Sequence, residues 1–260
     1  MRVLMISALF GLLTFASASA QSPVDGEIAP NGQLRVAMLG ANPVLVSKDA
    51  NGTFGGISFE LGAFIAERLG ATMKPIIYSD PAAYAASFGK GEWDIAIGPR
   101  RASEIDKVSF SPDFMLVDGQ YVAAPGRDFA DGSQVDRAGI KIAVARNGNP
   151  DAVLSGALKA ATLVRVRGLV EDAVEILRSH QADVYAGNGQ IVYSVAEKLP
   201  GSKIISGAFT SAPFAVLLPI GRSEAARSRI KDIVLEAIVT DLPRKAIERQ
   251  GLRGVRQAAK

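Results

Sequence analysis

Three short stretches of this 260-residue sequence carry groups suited to holding an anion. Arg100 and Arg101 set two guanidiniums side by side, and a planar guanidinium offers two parallel donors that match a carboxylate. Asn147, Gly148 and Asn149 stand just before a helix start, where free backbone amides meet an oxyanion; Asp151 in the first turn supports the competing reading of a plain cap. Asn188, within Ala186-Gly187-Asn188-Gly189, donates and accepts hydrogen bonds but brings no charge. Little in the chain resembles catalytic machinery. His180, the only histidine, falls at a helix end with no Ser, Asp or second His arranged around it. There is no phosphate-binding Walker loop, dinucleotide fingerprint or two-histidine metal motif. The complete lack of cysteine removes disulfides, thiolate metal sites and a thiol nucleophile. The chemistry on offer is polar recognition, with no cofactor and no metal expected.

The elements that must position these groups alternate. Gln33 to Leu39 reads as a buried strand, and Asn51-Gly52 as a tight turn. Ser58 stands as a helix cap before Leu61, Phe64, Ile65 and Leu69, which share one helical face; Gly70 stops that helix. Lys74 to Tyr78 is a second strand. Pro81 opens a helix through Tyr84 and Phe88 that Gly89 and Gly91 terminate, and Ile95 to Ile97 is a short buried strand. A second unit starts near Ile140 with the apolar run KIAVA, followed by Asn149 as a cap with Pro150 at the first helical position. Leu163 to Val166 is a strand, Val170 to Leu177 a helix, and Asp183 to Ala186 a strand. Lys203 to Ile205 and Phe214 to Leu218 follow. Ser223 starts a long helix, and Asp241 with Pro243 starts a last one that Gly251 stops. Two strand-helix alternations in one chain predict an α/β fold in two lobes, with no internal sequence repeat.

Residues 1–20 have the layout of a cleavable export signal: Arg2, an apolar run from Val3 to Phe15, then Ala18 and Ala20 before a mature start at Gln21. The run is too short for a membrane span, which takes about 20 apolar residues, so the mature protein is not expected to be membrane-inserted. About 240 residues then remain, enough for one large core or two modest ones. Lys plus Arg number 29 against 26 Asp plus Glu, a net +3; without Arg2 the balance is 28 − 26, or +2. A surplus this small and this dispersed is no footprint for nucleic acid.

In order and spacing, three segments resemble the amino-acid-type extracellular solute-binding proteins, family 3. They are Gly56-Ile57-Ser58-Phe59-Glu60-Leu61 through Leu69-Gly70; Gly89, Gly91, Trp93 and Asp94; and Val108-Ser109-Phe110-Ser111-Pro112 with Phe114. Gly139 to Gly148 and Ala182-Asp183 to Asn188 are similar to the opening and the ligand-facing strand end of that family's second lobe. The resemblance runs from about Leu34 to the last helix. It implies a two-lobed clamshell of the α/β class: a discontinuous first lobe, 33–119 with 213–260, and a second lobe, 120–212. Hinge crossings would lie near Met115 to Ala123 and Ala212 to Leu218. It further implies a monomeric periplasmic receptor, without enzymatic activity, that delivers a small-molecule solute to an inner-membrane permease of the ABC type. Cyclohexadienyl dehydratases resemble the same fold, so an enzyme with Glu104 or Asp118 as its acid is the alternative, beside a sensor without a transport role.

The resemblance also implies the ligand contacts. The family's carboxylate-holding Arg position falls on Glu104, so Arg100 or Arg101, in the stretch from Gly98, would take its place. Its ammonium-holding Asp falls on Asn188, which points toward a carboxylate or other polar anion. Asn42 and Tyr84 fall at the cleft rim by family position, although a turn residue and a core aromatic are the plainer readings.

Overall fold

The computed structural model describes residues 22–40, 45–48 and 51–259, so the export segment and Asn42 lie outside the described residues. In chain order the first unit contains α1 (Pro23–Ile28), β1 (Gln33–Leu39), the hairpin β2 (Ser47–Lys48) and β3 (Phe54–Gly55), α2 (Ile57–Arg68), β4 (Thr72–Tyr78), α3 (Pro81–Ala86) and β5 (Ile95–Pro99). Then come β6 (Val108–Phe110) and the long strand β7 (Met115–Ala123). The second unit has β8 (Lys141–Ala145), α4 (Asn149–Ala157), β9 (Thr162–Val166), α5 (Val170–Arg178), β10 (Val184–Asn188) and α6 (Gly189–Lys198). The chain closes with β11 (Lys203–Pro219), α7 (Glu224–Val239), α8 (Leu242–Arg249) and β12 (Val255–Gln257).

One ten-stranded sheet runs β4-β1-β5-β11-β7-β10-β8-β9, with β12 on β7 and β6 on β11. Its two ends repeat one plan. At each end three parallel strands place the first strand between the second and third: β4-β1-β5 and β9-β8-β10. Between them the antiparallel pair β7 and β11 joins the units. The repeat extends to one aspartate per unit. Asp94, just before β5, accepts from the Arg35 N–H of β1, while its own N–H donates to the Arg35 carbonyl. Asp183, just before β10, does the same with Lys141 of β8. Each aspartate closes the otherwise open end of a parallel ladder, a backbone demand that no periodicity reveals.

Four apolar clusters fill the layers. Two draw only on residues up to 117 and from 212 onward: Val36, Ile57, Ile97, Ile230 and Ile233 on one sheet face, and Tyr84, Phe88, Trp93 and Leu217 on the other. The other two draw only on residues 121–209, around Tyr185, Leu177 and Val192 and around Tyr121, Ile142 and Leu154.

Several local expectations change. Ser58 does not cap α2: Gly56 does, at φ +101°, where an added Cβ would lie 2.5 Å from the Leu45 carbonyl oxygen. Only glycine takes that turn, and Ser58 is drawn inside the helix and buried. Gly148, and not Asn149, is the residue before α4. The two short strands expected at Lys203 and Phe214 are one bent strand, β11, with an irregularity between Ile205 and Thr210. Helix α6, absent from the sequence reading, follows β10 directly; its buried Val192 and Val195 with Leu199 had supplied the helical spacing.

Asp136 pins the turn from α4 into β9 by accepting the N–H groups of Lys159, Ala160 and Ala161 at 2.9, 2.8 and 2.9 Å. Those three bonds, the one from Ala161 foremost, hold its carboxyl below the usual aspartate range. A depressed folded-state value gives stability that is present above the unfolded-state value and lost as pH falls through the folded one. Asp136→Ala therefore lowers the melting temperature at neutral pH, and its gap from the unmodified protein narrows on acidification below about pH 4. Thermal unfolding from pH 7 down to pH 2 checks this, and a gap that stays constant contradicts it.

Candidate ligand cleft

A cavity of about 330 Å³ opens where the carboxyl ends of both parallel triplets face each other across β7 and β11. From the first unit come Leu39 at the end of β1, Leu45, Pro99 at the end of β5, and Arg101. From the second come Ala145, Gly148, Asn149 and Pro150 at the β8-α4 turn, Gly168 after β9, and Tyr185, Gly187, Asn188, Gln190 and Ile191 along β10 and α6. The joining strands give Val117, Asp118, Gly119, Ala212 and Phe214. The wall is apolar over most of its extent, with its polar groups at separate points, the usual composition of a small-molecule site. Placement at strand carboxyl ends is the rule for open α/β sheets, because there the turns leave the ladder and free their backbone groups.

Among the described residues, two in the wall carry charge, Arg101 and Asp118. The Arg101 guanidinium, under half exposed, reaches one carboxylate among the described residues, Glu104 three residues on, at 3.4 Å. Burial pushes the Glu104 carboxyl up, against the opposing pull of Arg101 and Lys107. Asp118 on β7 accepts from Ser211 Oγ of β11 and lies 3.7 Å from Arg256 Nε. The Tyr185 phenol is pushed up to about 12 by its burial, with the charge of Asp172 adding to the shift, so it stays neutral at ordinary pH. Asn188 caps α6, its Oδ1 accepting the Ile191 N–H at 3.1 Å. Gln190 Oε1 accepts from the Arg253 N–H at 3.3 Å.

No protein-family model matches the chain, and no curated protein matches it in sequence. Solved structures do match in three dimensions. A mutant of ArgBP from T. maritima superposes with a TM-score of 0.65 at 20% identity, over 87% of this chain and 98% of that one. The ancestral amino acid-binding protein AncCDT-1, described as a precursor of cyclohexadienyl dehydratase, gives 0.68 at 17% identity over 88% and 99%. A solute receptor for L-cysteine of Neisseria gonorrhoeae gives 0.68 at 16% identity over 92% and 100%. The chain has the two-lobed fold of the periplasmic binding proteins. Within the described residues of this binding-protein fold, no helix is long and apolar enough to cross a membrane.

The binding-protein fold brings four of the nominated site residues into the cleft wall: Arg101, Gly148, Asn149 and Asn188. Arg100 points elsewhere. Its Nε donates to Asp113 at 2.7 Å, a further nitrogen reaches the Ser111 carbonyl at 2.5 Å, and its guanidinium lies over the Phe110 ring. In an extended chain neighbouring side chains alternate in direction, so an adjacent pair cannot share a target. Asn147 takes a left-handed turn, and its N–H donates to the buried Asp151, the capping alternative, while Arg165 pairs with the same carboxylate. Gly98 packs under Tyr84, where an added Cβ would stand 2.5 Å from the phenol oxygen. His180 is an exposed left-handed residue after α5.

Tyr84 is 2% exposed in an edge-to-face aromatic cluster with Phe88 and Trp93, and its hydroxyl has no hydrogen-bond partner among the described residues. A buried hydroxyl without a partner costs stability. Tyr84→Phe is therefore expected to melt at or above the temperature of the unmodified protein and to bind solute equally well. A Tyr84→Phe variant with weakened binding would return Tyr84 to the ligand.

The sequence reading missed Tyr185, Phe214, Gln190, Ile191, Val117 and Leu39 as wall residues, and treated Asp118 only as a conceivable acid. The one available signal was position: each lies on, or beside the end of, a strand that later proved central.

Proposed function

We propose that this protein is a periplasmic receptor that captures a small polar solute, an amino acid, an amino-acid-like compound or an organic carboxylate, and passes it to an inner-membrane permease of the ABC type. The observation that carries this reading is the cavity itself, shared by both strand triplets and straddling their two joining strands, with Arg101 on one side and the α4 start on the other. A guanidinium facing backbone amides at a helix N-terminus suits a carboxylate. Among the neighbours, ArgBP, solved with arginine bound, and the L-cysteine receptor support a ligand of that size. The separate cores support lobes of 33–119 with 213–260, and 120–212. Hinge bending at β7 and β11 would close them on the solute and give the permease a distinct form to recognise. The mature chain starts at Gln21, works as a monomer and does no chemistry of its own.

A thermal-shift screen of ligand-stripped mature protein against carboxylates, amino acids, amines and sugars tests the reading, since a ligand that binds only the folded state raises the melting temperature. Stabilisation by none of them would remove it. The second reading, an enzyme on this fold, draws on the description of AncCDT-1 and on Asp118 as a carboxylate in the wall. Turnover of cyclohexadienyl substrates by the purified protein would put it first.

A further inference from the structure

We infer that Arg253, outside the cleft, is a positioning residue that holds the two units in the arrangement in which both line the cavity. The inference rests on the receptor reading, in which the solute is held from both sides, and adds the group that keeps those sides in place. Strand β7 is shared by the units. β11 runs along one of its edges at both ends, so the other edge is divided: β12 of the first unit pairs with residues 115–117, and β10 of the second with residues 119–123. The two strands meet end to end beside Asp118, whose N–H donates to the Gly254 carbonyl at 2.9 Å. At this joint stand Gly254, at φ +67°, and Gly189, so close that a Cβ on Gly189 would overlap the Gly254 Cα. Gln120 Oε1 is buried beside both glycines, with no hydrogen-bond partner among the described residues.

From the joint Arg253 reaches across to α6. Its backbone N–H donates to Gln190 Oε1 at 3.3 Å, its guanidinium lies 4.4 Å from the centre of the Tyr193 ring, and the same group pairs with Glu197. Gln190, Tyr193 and Glu197 follow one another at the three- and four-residue steps that make a single stripe of a helix, so one residue holds two turns of α6. Val255 of β12 belongs to the first unit's core, whereas Val192 and Val195 of α6 belong to the second's, so these contacts tie one unit to the other. Bending β7 between residues 117 and 119 moves Gly254 toward Gly189 or away from it. The touching glycine backbones resist the first motion, and Arg253 resists the second. Gln190 also lines the cavity, so the hold ends on the cleft wall itself. A solute that needs both walls binds with an apparent affinity reduced by the fraction of molecules lacking that arrangement, and Arg253 keeps this fraction small.

The test uses the full mature chain, which has no cysteine of its own. Ala63→Cys on α2 and Ala157→Cys on α4, both at exposed positions, carry spin labels whose separation is measured without any solute. Arg253→Ala broadens that separation and moves its maximum outside the width found for the unmodified protein. Glu197→Ala does the same, and the double variant adds little to either single one, as expected of partners in one contact. Arg178→Ala, which breaks an exposed pair with Glu175 inside α5, leaves the separation unchanged. Calorimetric titration with L-arginine, L-cysteine and L-glutamate gives, for whichever binds, an affinity about threefold to tenfold weaker in Arg253→Ala, the scale of an exposed ion pair with a ring contact. A separation that Arg253→Ala leaves unchanged overturns the inference while the receptor reading stands, and an affinity unaltered in that variant overturns it also. If none of the three probes binds, the receptor reading loses its support, and the label separation still decides for or against Arg253.

Discussion

Arg101→Ala weakens solute capture by about thirtyfold or more and leaves the fold intact. A desolvated guanidinium–carboxylate contact is worth about 2–5 kcal/mol when one partner is removed. Among the described residues Arg101 makes the 3.4 Å approach to Glu104 and no other ion pair, so few structural bonds go with it. The residue left behind is Glu104, 8% exposed, whose carboxyl burial already pushes up. Without the Arg101 charge that shift grows, with Lys107 the remaining cation beside it. A raised folded-state value gives stability that is full below the unfolded-state value and lost as pH rises through the folded one. The variant should therefore lose more stability relative to the unmodified protein at pH 8 than at pH 5. Arg100→Ala gives the opposite pattern: about 1–3 kcal/mol less stability, from the loss of the Asp113 pair, the Ser111 carbonyl bond and the Phe110 contact, with affinity within about twofold. Titration calorimetry with the solute that best stabilises the unmodified protein, alongside urea unfolding, separates the two. If Arg100→Ala proves to be the binding-deficient variant, the assignment of the cleft cation is wrong.

The largest loss of stability is expected at Asp94. It is 1% exposed and holds Arg35 through both carboxylate oxygens, at 2.8 and 3.1 Å, together with the Arg35 N–H at 2.9 Å. Arg222 reaches the same group at 3.5 Å and ties in the start of α7. Removing one partner of a fully buried pair costs about 3–5 kcal/mol; Arg35, 34% exposed and bonded to the Gly91 and Glu92 carbonyls, recovers part of that, so the loss falls at the lower end of this range. Asp94→Ala therefore unfolds at a much lower urea concentration than the unmodified protein. Asp183→Ala, its counterpart in the second unit, loses less, because its partner Arg127 is half exposed and already well hydrated. A loss below about 1 kcal/mol at Asp94 would mean that the network only tracks the fold and does not hold it together.

Much of the architecture was readable along the chain. The alternation of KIAVA-type runs with striped helices, the stop at Gly70, the cap at Ser223 and the turn at Gly251 all act within a few residues of themselves, and all are found in place. Elements were misread where a distant contact decided the matter. Gly56 displaces Ser58 as the cap because the Leu45 backbone passes against it, and β11 is continuous because β7 pairs with it on both sides of its irregularity before β5 and β6 take over.

The cleft divides the same way. Sequence alone determined that the chain is a two-unit α/β protein, and it narrowed the proposed cleft cation to Arg100 or Arg101 and the proposed polar contacts to asparagines and free amides. Spacing and residue type fix such properties, since capping, helical stripes and donor geometry depend on neighbours a few positions away. Tertiary structure decided which arginine faces the cavity, that Tyr84 belongs to the core, and that Asp118 stands in the same wall as Arg101. Those outcomes depend on strands far apart in sequence meeting across β7 and β11, and on which face of each strand the surrounding cores leave uncovered.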